Sequence, residues 1–192
     1  MTRKLIRFMM GSFFIILLSP HSSEARQGFA IGMGPVGNIF LIDTVPVLQP
    51  GVGGHVYFDY RFHDQVSFKT TFLITSQDGT SVSSGDNGIL FLGMPTFDVK
   101  LYFLKNDPKF DPYISTGVGV YWVTEGSKSD ATGGVGLGSQ LGLGFDYYLT
   151  DVISLGFEGV FRSIGLITNL GTPSASTALF PYTLHGNVAF HF

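Results

Sequence analysis

The sequence predicts an all-β fold in which eight antiparallel strands close into an up-and-down transmembrane β-barrel. Three observations support this prediction. Apolar residues alternate with small or polar residues, the composition is apolar and rich in glycine, and the connections between strands are alternately long and short. Because successive side chains of a β-strand point to opposite faces, each alternating row marks one face of a sheet.

The alternation is clearest in residues 135–162, which we predict to form a hairpin with its turn at Thr150-Asp151. One row of this hairpin is apolar and uncharged, whereas the other row combines glycines with Asp146, Glu158 and Arg162. A sheet with lipid on one side and a polar interior on the other has this pattern. A soluble β-sandwich would instead bury the apolar row and scatter charges over its outer row.

Composition restricts the class of protein. The chain has 192 residues, which suits one domain; only 13% of them are charged, 15% are aromatic and 26 are glycine. Typical soluble domains have about 25% charged residues. No apolar run after residue 25 reaches the roughly 18 residues that a membrane-spanning helix needs. A closed barrel is therefore the membrane-spanning structure that the sequence favours.

Residues 1–25 have the features of a secretory signal peptide. Basic residues precede an apolar segment, Met9 to Leu18, that is too short to span a bilayer, and we place the cleavage site after Ala25. A short membrane anchor is the alternative interpretation. The expected mature chain is one barrel domain, residues 26–192.

Several kinds of site are excluded by composition. The chain has no cysteine, which excludes disulfide bonds, a lipid-modified cysteine and thiolate metal sites. Its formal net charge is −3, and loss of residues 1–25 would remove more basic than acidic residues. We therefore predict no nucleic-acid partner, and we predict no cofactor.

Eight strands are predicted, at residues 28–37, 52–62, 66–75, 89–103, 113–123, 135–149, 153–162 and 179–192. Proline removes a donor from a strand ladder, so Pro95 predicts a β-bulge near Met94-Pro95 in the fourth strand. The apolar residues 39–48 either fold over the barrel rim or extend the first strand. Both termini and the three shorter turns are predicted on one end of the barrel, which we call the turn side, and the four longer loops on the loop side.

Outward aromatic residues are expected to form one girdle at each membrane interface. The turn-side residues are Tyr60, Phe62, Phe103, Tyr147, Phe190 and Phe192, and the loop-side residues are Phe72, Phe91, Trp122 and Phe180. The alternative is the ordinary core of a soluble barrel, which would require these rings to point inward. That alternative leaves rows of glycine on the exterior without an explanation.

Four motifs link the chain to a family. They are Pro112-Tyr113-Ile114 with Gly117-Val118-Gly119, Gly136-Leu137-Gly138 with Leu143-Gly144 and Tyr147, Leu149-Thr150-Asp151 with Ser154-Leu155, and the terminal Val188-Ala189-Phe190-His191-Phe192. With these motifs the chain resembles the small outer-membrane β-barrels of Gram-negative bacteria, such as the OmpA transmembrane domain.

The resemblance implies a location in the bacterial outer membrane, with lipid and lipopolysaccharide around a monomeric, porin-like barrel. It also implies delivery by periplasmic chaperones and insertion by the barrel-assembly machinery. In this family the assembly signal would be the alternating apolar residues at the end of the last strand, here Val188, Phe190 and Phe192.

Charged residues of the inward rows are the first candidates for a functional site. They are Asp59, Arg61, Lys69, Asp98, Lys100, Asp146, Glu158 and Arg162. Eight strands make a lumen just wide enough for side chains to fill, and unpaired buried charges are costly, so these acids and bases are expected to pair. Pairing predicts a salt-bridged plug. The alternative is a narrow or gated pore, for which the glycines of the inward rows would leave space.

Histidines are the second candidates. His55, His185 and His191 are expected to point inward, and His63 lies in a turn. A lipid-modifying enzyme of this architecture would need a nucleophile beside His55 or His185 near the outer rim, with Thr183 or a loop serine in reach. No motif identifies such a nucleophile, and the histidine spacing does not suit a metal site.

The sequence therefore predicts a protein without enzymatic activity, whose structural or surface-interaction role is presented by its outer loops to an unknown surface ligand. Two alternatives remain open at this point. The first is a small channel for ions or a solute, and the second is a lipid-modifying enzyme.

Overall fold

A computed structural model of the chain describes residues 27–41, 50–78, 88–104, 109–126, 132–168 and 177–192. The predicted signal peptide, residues 1–25, lies outside the described residues, as do most residues of the predicted loops. No helix in the described part of the chain is long and apolar enough to cross a membrane.

The strands are β1 (Gly28–Phe40), β2 (Gly51–His63), β3 (Val66–Asp78), β4 (Gly88–Tyr102), β5 (Phe110–Gly126), β6 (Thr132–Tyr148), β7 (Ile153–Thr168), β8 (Thr177–Leu179) and β9 (Pro181–His191). Each pairs antiparallel with a neighbour, and β1 pairs with β9, so the sheet closes on itself. Because β8 and β9 both pair with β7 and only Phe180 separates them, they form one barrel strand. The predicted eight-stranded up-and-down barrel is confirmed.

Several strands extend farther toward the loop side than the sequence predicted. β1 continues to Phe40, β3 to Asp78 and β7 to Thr168. Residues 39 and 40 therefore extend the first strand, which was one of the two predicted alternatives. Residues 42–48 lie outside the described part of the chain. Each of these predicted ends is followed by a polar residue, whereas strand pairing depends on backbone hydrogen bonds that polar side chains do not interrupt.

The predicted β-bulge at Met94-Pro95 is present in β4. The register with β5 moves from Gly93 opposite Tyr121 to Thr96 opposite Gly119, so β4 has one extra residue at this point. Because the side-chain period is two, one extra residue moves all positions beyond it to the other face.

The prediction that Phe91 faces lipid is therefore wrong. Phe91 lies on the loop side of the bulge, points inward and has no exposed surface. An unbroken alternation with Phe91 outward would place Leu90 and Met94 inward, but they are 38% and 47% exposed on the outer face. The predicted strand included the bulge, but its inward and outward positions were assigned as if the alternation continued unchanged through the bulge.

The outer face of the barrel is apolar. The other predicted girdle residues face outward: Tyr60, Phe62, Phe72, Phe103, Trp122, Tyr147, Phe190 and Phe192 are exposed, and Phe180 is half-buried. Aromatic rings also contact one another across strands, as in Phe29 and Tyr60, whose ring centroids are 4.5 Å apart. No charged side chain lies in the outward rows of the strands, as far as these side chains are described.

An apolar cluster fills the loop-side part of the lumen. It contains Leu73, Phe91, Tyr121, Val123, Ile164, Leu166 and Leu179, with Phe40 packed against it. Phe91 stacks on Tyr121 with 5.6 Å between ring centroids, and Phe40 contacts Phe91 edge-on at 6.1 Å. This cluster, which we call the apolar cap, was not predicted from the sequence.

The inversion at the bulge predicts different effects for two phenylalanines of β4. Phe91→Ala leaves a cavity inside the barrel, whereas lipid fills the space that Phe97→Ala leaves on the outer face, where Phe97 is 41% exposed. We expect the loss in free energy of unfolding to be larger for Phe91→Ala by on the order of 2 kcal/mol. Urea titration in lipid vesicles measures both values, and equal losses would contradict the inward position of Phe91.

Candidate functional site

The lumen on the turn side of the apolar cap is filled by polar and charged side chains. All the sequence-predicted inward charges are buried there: Asp59, Arg61, Lys69, Asp98, Lys100, Asp146, Glu158 and Arg162. None of these residues is more than 7% exposed. Together with Asp111 they form what we call the charge network.

Lys100 lies at the centre of the charge network. Its Nζ is 2.9 Å from Oδ2 of Asp146 and 3.2 Å from Oδ2 of Asp59, and it lies 3.9 Å from the ring centroid of Tyr113. The Tyr102 hydroxyl donates a hydrogen bond to Asp146 at 3.0 Å. One lysine from β4 thus connects carboxylates from β2 and β6. Its desolvation is offset by two ion pairs and a cation–π contact.

A separate ion pair crosses the lumen between β3 and β7. Nζ of Lys69 is 2.5 Å from Oε2 of Glu158. The Ser115 hydroxyl of β5 donates a hydrogen bond to the other carboxylate oxygen of Glu158 at 2.7 Å. Both oxygens of this buried carboxylate therefore have a partner, as a charge in a dry environment requires.

Arg61 connects the turn-side ends of several strands. Its guanidinium is 2.9 Å from Asp111 Oδ2, donates to the Tyr148 hydroxyl at 3.3 Å and lies 3.9 Å from the Tyr102 ring centroid. It also donates to the backbone carbonyl of Asp64. These contacts link β2 and the following turn to β4, β5 and β6.

Asp111 is a member of the charge network that was not predicted from the sequence. The residue lies between the predicted fourth and fifth strands, although β5 begins at Phe110 and Asp111 is fully buried. Its position was detectable, because the inward row of β5 that contains Tyr113 and Ser115 continues back to Asp111 in steps of two.

Gln140 joins an acid and a base that do not touch. Nε of Arg162 donates to Gln140 Oε1 at 2.9 Å, and Nε2 of Gln140 donates to Asp98. Tyr121 of the apolar cap also donates to Gln140 Oε1, at 2.7 Å. None of the described carboxylates forms an ion pair with Arg162, which donates to Thr183 as well. A neutral amide therefore connects the charges at the boundary with the apolar cap.

The predicted lumen histidines bind polar neighbours. Nε2 of His185 is 2.8 Å from Oγ1 of Thr183, and His191 has the same distance to the Ser154 hydroxyl. His185 is directly opposite Glu158 in the β7–β9 ladder, so it lies at the level of the charge network and not at the outer rim. Among described residues, no three His, Asp or Glu side chains are grouped so that they could hold a metal ion.

His55 reinforces the seam where the first and last strands close the barrel. The β1–β9 ladder skips Gly34 and Pro35, and Pro35 has no N–H to donate. A Cβ atom at Gly34 would overlap the Gly186 carbonyl oxygen, so glycine lets β1 and β9 approach closely here. His55 of β2 reaches across β1 to Asn187 of β9, with 2.6 Å between Nε2 and Oδ1. The rings of His55 and His185 are in edge contact at 4.7 Å.

These observations define the class of protein. A closed antiparallel barrel with an apolar exterior and a polar lumen is the architecture of outer-membrane β-barrels. A profile of the outer membrane protein beta-barrel domain matches residues 11–178. The chain belongs to this family, and the protein is located in the bacterial outer membrane.

Solved structures share the fold at low sequence identity. Neisserial surface protein A has 14% identity and a TM-score of 0.65, with 86% of this chain and 98% of that chain covered. Ail of Yersinia pestis has 12% identity and a TM-score of 0.59, with coverage of 86% and 99%. OprG of Pseudomonas aeruginosa has 15% identity and a TM-score of 0.55, with coverage of 86% and 96%. No curated protein sequence matches this chain.

The position of Lys100 predicts a large effect on stability. Lys100→Met leaves the carboxylates of Asp59 and Asp146 buried without their cation, so we expect a loss of about 3–5 kcal/mol in the free energy of unfolding. Lys109→Met changes an exposed turn residue and should alter stability by less than about 0.5 kcal/mol. Equilibrium unfolding in urea compares the two variants, and a similar small effect for both would contradict the central role of Lys100.

Proposed function

We propose that the protein is a closed outer-membrane barrel with a structural or surface-interaction role, which its loop-side segments present to the cell exterior. The filled lumen is the observation that supports this proposal most directly. An apolar cap and a charge network fill a barrel of eight strands, whose interior is only wide enough for side chains. The surface that remains for a partner is then the loop side.

A channel is the weaker alternative. Ions would have to separate Lys69 from Glu158 and Lys100 from its two carboxylates, and they would also have to pass the apolar cap. Apolar constrictions stop ions even without a charged gate, because water leaves them. Two different barriers in series therefore favour a closed barrel.

The lipid-modifying alternative has little support from the contacts of the histidines. His185 contacts Thr183, and His55 contacts Asn187, so the two histidines bind lumen residues. Thr183 is completely buried and His185 is 2% exposed. A nucleophile and its base would need access to a lipid substrate, and this pair faces the interior of the barrel.

The loop-side segments suggest the chemistry of a partner. Residues 42–49, 79–87, 127–131 and 169–176 contain Asp43, Asp86 and Asp130 but only one basic residue, Lys128. Ail has been solved in complex with the heparin analogue sucrose octasulfate. These segments have too little positive charge for such a polyanion. We propose a neutral or basic surface ligand, bound through the hydroxyl and amide groups of the loops.

The membrane-facing surface has its own proposed partners. The outward rows would contact lipid and lipopolysaccharide. Val188, Phe190 and Phe192 point outward near the turn side and are 40%, 37% and 73% exposed. We propose that they form the signal read by the barrel-assembly machinery after delivery by periplasmic chaperones, and that the inserted protein is a monomer.

Conductance tests the closed lumen. Protein purified from outer membranes should give no reproducible current steps in planar bilayers. Arg162→Ala should be silent as well, because the apolar cap remains in place. Heat-modifiable gel migration shows that each sample is a folded barrel, and a porin in the same bilayer shows that insertion is detected. Steady steps from the folded, unmodified protein would overturn the closed-barrel proposal.

Epitope labelling on intact cells tests the orientation of the loops. An epitope inserted within residues 79–87 should bind antibody on intact cells, because this loop-side segment faces outward. The matched epitope within residues 105–108, on the turn side, should bind only after the outer membrane is permeabilised. The reverse pattern would contradict surface presentation by the loop side, whatever the conductance.

A further inference from the structure

A small cavity at the turn-side end of the lumen has no part in the proposed function. It is lined by Ala30, Asp59, Arg61, Tyr102, Tyr148 and His191. The centre of a water-sized sphere can occupy a volume of about 10 Å³ inside this cavity. A space of roughly this size holds one water molecule and no larger ligand.

Two charged side chains of the cavity wall each have one unused polar atom. Nε of Arg61 and Oδ1 of Asp59 are buried and have no hydrogen-bond partner among the described protein atoms. The other atoms of both groups are engaged, since Asp59 Oδ2 pairs with Lys100 and the Arg61 guanidinium pairs with Asp111. Each of the two residues is only 7% exposed.

The two unused atoms define the chemistry of the ligand. The N–H at Nε of Arg61 requires an acceptor, and the carboxylate oxygen of Asp59 requires a donor. A cation would be repelled by the guanidinium, and an anion would be repelled by the carboxylate. Water is neutral, accepts and donates at once, and has the size of the cavity.

We propose that one water molecule binds in this cavity, accepting a hydrogen bond from Nε of Arg61 and donating one to Oδ1 of Asp59. Leaving a buried polar group unpaired costs about 1–3 kcal/mol, and more for a charged group, so the site has a strong reason to bind water. The water links the Arg61–Asp111 ion pair to the Lys100–Asp59 ion pair. It extends the charge network to the turn-side mouth, whereas the apolar cap separates the same network from the loop side.

Nuclear magnetic resonance on arginine-labelled protein in detergent micelles tests the site. The Hε proton of Arg61 should show a cross-relaxation peak to water with the sign of a long-lived bound molecule. Ala30→Val fills the cavity and should abolish this peak. Ala189→Val enlarges a buried alanine of β9 that does not line the cavity, so the peak should remain.

The result can overturn the proposal in two ways. Absence of the water peak in the unmodified protein would do so, as would an unchanged peak in folded Ala30→Val. A crystal structure of the unmodified protein tests the site without any variant. It should show a solvent molecule within about 3.2 Å of both atoms, and a protein acceptor bound to Nε of Arg61 instead would rule out the bridge.

Discussion

The width of the lumen is the constraint on which the rest of the structure depends. Eight strands enclose a space that side chains must fill, and almost no bulk water reaches it. Each inward charged group therefore needs a partner inside the barrel, often on a strand that is not adjacent. Lys100 meets this requirement with carboxylates from two other strands, and Glu158 meets it with a lysine and a serine hydroxyl. Lipid imposes the complementary requirement on the outer rows, which are apolar.

The same constraint explains the pattern of small and large inward residues. The ring of Tyr57 lies against Gly32, and the ring of Tyr113 lies against Gly144. A Cβ atom at either glycine would overlap the tyrosine ring, so these glycines provide the space into which the rings fit. Glycine rows that would suggest an open pore from sequence alone are thus occupied in part by aromatic side chains from neighbouring strands.

Local alternation was sufficient to predict the strands and the inward direction of residues such as Asp146 and Glu158, because a period of two is a property of neighbouring positions. It could not predict which charges meet. Lys69 and Glu158 come from β3 and β7, and their contact depends on the tilt and stagger of strands far apart in sequence.

Phe91 shows a different limit. The proline signalled a bulge, and one extra residue there is enough to turn Phe91 inward. The apolar cap that Phe91 joins also needs side chains from β3, β5, β7 and β8, and local alternation does not show that these meet. Asp111 was missed because the start of β5 was placed too late.

The apolar cap also has an electrical consequence. Layers of different polarity across a membrane act like capacitors in series, and the layer with the lowest dielectric constant takes most of the voltage. Along this lumen that layer is the group of side chains around Phe91 and Ile164. A potential difference across the outer membrane would therefore fall mainly across the cap. The ionised groups on the turn side of the cap would therefore sense little of a change in potential on its loop side.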